Sequence, residues 1–153
     1  MIRTSSNTPL EIYHGVPEGW SKAEIISEYQ SLGGTELADL PEATEPGSPS
    51  WLPDRQNWLQ YRATIKEIAE LVRVGDPAAI ELAVRYIELN YFGSYSGFLR
   101  ERLARALKQQ NLTGVQCSRL LSHFSQLISE RQCFTEFREF SKLAKRIKSR
   151  QNA

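Results

Sequence analysis

The chain has 153 residues, 41% of them hydrophobic and 24% charged, with a formal net charge of +1. That length can bury a core, and the balance is an ordinary globular one, which excludes wholesale disorder and a fibrous architecture. No apolar run approaches the roughly 18 to 20 residues of a membrane-spanning helix, and the start "MIRTSSNTPLEIYHG" lacks the basic end and apolar stretch of a secretion signal, so a cytoplasmic protein without a membrane partner is expected.

Charge is unevenly distributed. Of the 19 basic and 18 acidic residues, only 2 basic but 8 acidic ones precede Asp54. Residues 1–53 therefore form an acidic arm ahead of a basic remainder, an asymmetry that suits docking of one part on the other or an acidic partner. Within the arm, Ser21 and Glu24 have capping-box spacing, and Ile25, Ile26, Tyr29 and Leu32 recur at helical intervals, so the sequence predicts a short helix near 21–32 stopped by Gly33-Gly34. The following "TELADLPEATEPGSPSWLP", residues 35–53, carries four of the seven prolines and reads as a linker or extended strap.

From Asp54 to about residue 149 the pattern is strongly helical, with 150–153 as a tail. Asp54 is placed to cap a helix carrying Trp58, Tyr61, Ile65, Ile68 and Val72 inward, with Gly75 as its stop. Asp76-Pro77 restarts the chain at once, aspartate as N-cap and proline in the first turn. In "AAIELAVRYIELNYF" only Glu81, Arg85 and Glu88 are charged, all on one stripe, which predicts the most buried helix. The next helix takes Phe98, Leu99, Leu103, Ala106 and Leu107 as its apolar side and Arg100, Arg105 and Lys108 toward its other face. Thr113 with Gln116 gives a second capping box before a stripe of Val115, Leu120, Leu121, Phe124, Leu127 and Ile128. A last helix from near Thr135 takes Phe137, Phe140, Leu143, Ala144 and Ile147 inward.

The expected fold class is all-α: an antiparallel bundle or short stack of five helices joined by short breaks, with one short helix in the acidic arm. Helix starts recur about every 20 residues, so a pair spans about 40. With "DPAAIELAVRYI" similar to the opening of a repeat's second helix, residues 54–149 resemble HEAT-like α-helical repeat proteins. The resemblance implies architecture and a bias toward protein binding, and it carries over no functional residue.

Three stretches are candidate sites. In "NYFGSYSGF" four aromatics, Tyr91, Phe92, Tyr95 and Phe98, are threaded with Gly93, Ser94, Ser96 and Gly97. Serine caps, glycines with positive φ and rings packed between helices would make this a structural corner; Tyr91 and Tyr95 left exposed would make it a partner anchor. Between Arg131 and Arg150 seven basic residues stand against Glu136 and Glu139. Arg138, Lys142, Lys145, Arg146 and Lys148 form a basic patch suited to an acidic protein or to phosphates, while Phe134, Phe137 and Phe140 sit at core spacing. Trp20 and Trp51 in the arm are hydrophobic anchors, docked on the protein itself or kept for a partner.

Catalysis is not expected. His14 and His123 have no nucleophile and acidic orienter at recognisable spacing, and Cys117 and His123 do not share a helix face. Glu67/Glu70 and Glu136/Glu139 are expected on polar faces without the histidines of a di-iron site. Cys117 and Cys133 show no zinc spacing, and at opposite ends of one helix they would lie about 20 Å apart, too far to bridge. No metal or cofactor is implied. The leading expectation is a non-catalytic protein-binding module of the adaptor, inhibitor or immunity type; the alternative is a nucleic-acid-associated protein using the basic last helix.

Overall fold

The local signals for helix starts and stops translate directly into elements. A computed structural model describes residues 15–37, 53–93 and 95–151. Among them are six α-helices and no strand: α1 Lys22–Ser31, α2 Pro53–Arg73, α3 Pro77–Leu89, α4 Ser96–Leu107, α5 Gly114–Ser129 and α6 Phe137–Gln151. Both capping boxes form, Ser21 with Glu24 on α1 and Thr113 with Gln116 on α5. Asp76 caps α3 by accepting from the amides of Ala78 and Ala79, at 3.0 and 3.2 Å. α2 begins at Pro53, so Asp54 lies inside the helix it was expected to cap.

Three helices end in the same device. After α1, α2 and α5 the chain turns through a left-handed residue, and two backbone bonds close each end, as in Gly75 N–H to Val72 and Asp76 N–H to Leu71. Gly33 and Gly75 supply the positive φ without a Cβ penalty. After α5 the residue is Arg131, at φ 57°.

Packing follows a regular pattern. α3 packs on α1 and α2, α4 on α2 and α3, α5 on α3, and α6 on α4 and α5. The core contains every residue of the expected α2 stripe, Trp58, Tyr61, Ile65, Ile68 and Val72, and most of α3. Tyr61 and Tyr86 satisfy each other's hydroxyls inside it, and burial pushes the Tyr86 phenol up to about 12. The described part of the arm belongs to the same core: Ile25, Tyr29 and Leu37 are buried, and the Tyr29 hydroxyl donates to Asp76, joining α1 to the cap of α3.

Four expectations are corrected. Phe98 is 55% exposed and Arg100 only 2%, because contact with α2, α3 and α6 rotates the buried sector of α4 toward Leu99, Arg100, Leu103 and Leu107. Val115 and Ile128 are exposed, since among the described helices α5 is covered mainly by α3 and α6. Glu136 and Glu139 are buried, Glu136 against Arg100 of α4 and Glu139 against Lys108 at the C-cap of the same helix. Cys133 lies beyond the end of α5, so the two free cysteines do not share a helix. No helix among the described residues is long and apolar enough to cross a membrane.

Candidate functional site

The aromatic corner is built around a buried charge. Arg100 Nε and Nη2 converge on Glu136 Oε2 at 3.1 and 2.7 Å, and its Nη1 donates to the carbonyl of Tyr91. A buried guanidinium needs such full pairing to be tolerated. It thereby fastens the loop before α4 to the start of α6. Asn90 adds a second tie, donating from Nδ2 to Gln132 Oε1 at 3.2 Å.

The turn itself departs from the expected chemistry. Positive φ falls on Asn90 and Tyr95, at 54° and 73°, and on neither Gly93 nor Gly97. Tyr95 is the N-cap of α4 and gives it no side-chain cap; Ser96 instead accepts from the amide of Gly93 and donates to its carbonyl, at 2.9 and 2.8 Å. Ser94 lies outside the described residues.

Next to the ties, a run of rings and cations leads from buried Trp58 to exposed Phe98. Phe98 stacks on Tyr95 with centroids 4.9 Å apart. The Arg62 guanidinium lies 4.6 Å from the Tyr95 ring and 4.7 Å from that of Trp58, and Lys66 reaches Tyr95 at 4.9 Å. Trp58, Arg62 and Lys66 are one turn apart on α2 and so present one stripe. Neither Arg62 nor Lys66 has a carboxylate partner among the described residues. Elsewhere in the corner, Phe92, 50% exposed, meets the exposed Phe134 edge-on at 5.4 Å, and Arg100 lies against the Phe92 ring.

The sequence candidates therefore separate. Tyr91 and Tyr95 are half-buried, Tyr91 with its phenol raised by burial, whereas Phe92 and Phe98 project. Trp20 is half-buried with its ring against Tyr86, 5.3 Å between centroids. Trp51 lies outside the described residues. Arg138, Lys142, Lys145, Arg146 and Lys148 are all exposed; Lys142 is 3.6 Å from Glu139, and the other four have no carboxylate partner among the described residues. Phe134, placed by its spacing in the core, lies before α6 begins and joins the corner instead. The sequence reading missed Arg62 and Lys66, although their spacing from Trp58 was visible.

Polar clusters elsewhere are internally compensated. Burial acts to raise the Glu81 carboxyl, but hydrogen bonds from Gln116, Arg85 and Arg119 overcome it and hold it below the usual carboxylate range. Arg119 also pairs with Glu88 at 2.5 Å. The Lys108 ammonium, 2.9 Å from Glu139, keeps that buried carboxyl low as well. His123 has its Nε2 buried with no hydrogen-bond partner among the described residues, and burial lowers its pKa.

No protein-family model matches the chain, and no curated protein or solved structure matches it either.

Proposed function

We propose that this chain is a non-catalytic protein-binding module, of the adaptor, inhibitor or immunity type, whose contact surface is the aromatic corner. One observation carries the reading: exposed Phe98 stacks on Tyr95, whose ring is met by Arg62 and Lys66, cations without a carboxylate partner among the described residues, and exposed Phe92 and Phe134 pair elsewhere in the same corner. Rigid rings give contact area at small entropic cost, and unpaired cations steer an acidic face onto them. The backbone beneath is pinned by the Arg100–Glu136 pair, so the surface is presented without prior ordering. The next-but-one packing of the helices supports a short HEAT-like stack as its scaffold.

The test is a pair of variants, Phe92→Ser/Phe98→Ser and Arg62→Glu/Lys66→Glu, compared with the parent for partner retention, helicity and melting. Both should release the partner while keeping the fold. Retention of the partner by both would overturn the reading.

A nucleic-acid role is the second reading, favoured by exposed Arg138, Lys145, Arg146 and Lys148. Binding to phosphates would weaken steeply and log-linearly with salt, whereas an interface centred on phenylalanines would respond far less.

A further inference from the structure

We propose that the groove between α5 and α6, apart from the corner, receives an acidic amphipathic helix of a protein partner. α5 is the starting point. Its sixteen residues, GVQCSRLLSHFSQLIS, contain no carboxylate, and their one permanent charge is Arg119. Arg119 is turned inward, to Glu81 and Glu88 of α3. Outward, besides the terminal Gly114 and Ser129, are Val115, Ser118, Ser122, Ser125, Gln126 and Ile128, all exposed and none charged. The solvent face of a helix ordinarily carries charge; one without it loses little when water is removed, which is the property of an interface core.

The groove floor is apolar. Leu121, Phe124 and Ile128 face Phe137, Phe140 and Ala144 across a cleft of about 260 Å³. The packing pattern shows what shape fits it. α3 lies against both α1 and α2, and α4 against both α2 and α3, but no helix among the described residues packs extensively against both α5 and α6. A further helix laid there would continue that pattern by the same side-chain interdigitation.

Charge selects the occupant. Lys145 and Lys148 line the α6 wall, exposed and without a carboxylate partner among the described residues; no acid lines the cleft, and the one at the end of α5, its C-cap Glu130, accepts from Gln126 Nε2 at 3.0 Å. A helix with an apolar row and a flank of Asp and Glu toward α6 meets both features. A second copy presenting the same face would oppose lysine with lysine, so self-pairing through this groove is disfavoured.

The test is selection, on the full chain, of displayed helical peptides with a fixed leucine row at i, i+3, i+4 and i+7 and randomised flanks. Enriched peptides should carry Asp or Glu along one flank. They should bind about tenfold more weakly to Lys145→Glu/Lys148→Glu, whose exposed positions leave the core intact, and also lose affinity for Ile128→Asn. Binding to Phe92→Ser/Phe98→Ser should be unchanged, which separates this groove from the corner. No enrichment, enrichment without an acidic flank, or full binding to both groove variants would overturn the proposal. Self-association of the free chain abolished by Ile128→Asn would overturn it too, assigning the groove to a second copy.

Discussion

Arg100 on α4 and Glu136 at the start of α6 are 36 residues apart in sequence, yet two guanidinium N–H groups converge on one carboxylate oxygen. That pair decides the shape of the aromatic corner. Removing one partner strands the other charge in a site with almost no water. Glu136→Ala should therefore cost about 3–5 kcal/mol, read by urea unfolding, with Arg100→Met/Glu136→Leu recovering most of it. An effect of Glu136→Ala as small as that of a surface substitution would show that the pair does not fasten the corner.

At the end of α5, Arg131 occupies the left-handed position that Gly33 and Gly75 fill after α1 and α2. Its side chain is exposed. Arg131→Gly should thus stabilise the fold by about 1 kcal/mol, against the usual penalty of placing glycine in a chain. The midpoint of urea unfolding should rise without a change in slope. A lower midpoint would contradict the assignment of strain to that residue.

These two sites show what the sequence could and could not convey. Caps and stripes were legible because they are local: Ser21/Glu24, Thr113/Gln116, Asp76-Pro77 and the α2 stripe appear where their spacing put them. Arg100 and Phe98 were misplaced because periodicity gives a helix two faces, whereas three neighbours around α4 bury a wider and rotated sector. A buried Glu136 was invisible for the same reason, since its burial depends on a cation from a distant helix. The glycines of the corner misled: positive φ fell on Asn90 and Tyr95.

Asp76 should matter more than Thr113. Thr113 caps α5 through one amide, so Thr113→Ala should cost about 1 kcal/mol. Asp76 accepts from two amides and from the Tyr29 hydroxyl. Asp76→Ala should cost roughly 2–3 kcal/mol, because it also leaves that hydroxyl without its acceptor. Equal losses in thermal or urea unfolding would mean that the tie from α1 contributes nothing.

Stability should fall in two steps on acidification. His123 is depressed from the ordinary 6.5 by burial, and Glu81 and Glu139 are depressed from 4.5 by their cationic and amide partners. In each case the unfolded chain binds the proton first as pH falls, so the contribution is complete above the ordinary value and is lost below it. The upper step begins near pH 6.5 and the lower near 4.5. His123→Gln should abolish the upper step alone in unfolding midpoints measured from pH 8 to about 3.5. An upper step that survives the substitution would assign it to another group.

The most direct test of the protein-binding account is capture of partners by the tagged chain from its native lysate, divided into nuclease-treated and untreated halves. Protein and nucleic acid are identified in both, with Phe92→Ser/Phe98→Ser run in parallel. A specific protein retained after nuclease and lost by the variant is the predicted result. Nucleic acid recovered with the parent chain, or partners that disappear on nuclease treatment and are indifferent to the corner, would contradict it and move the site to the basic face of α6.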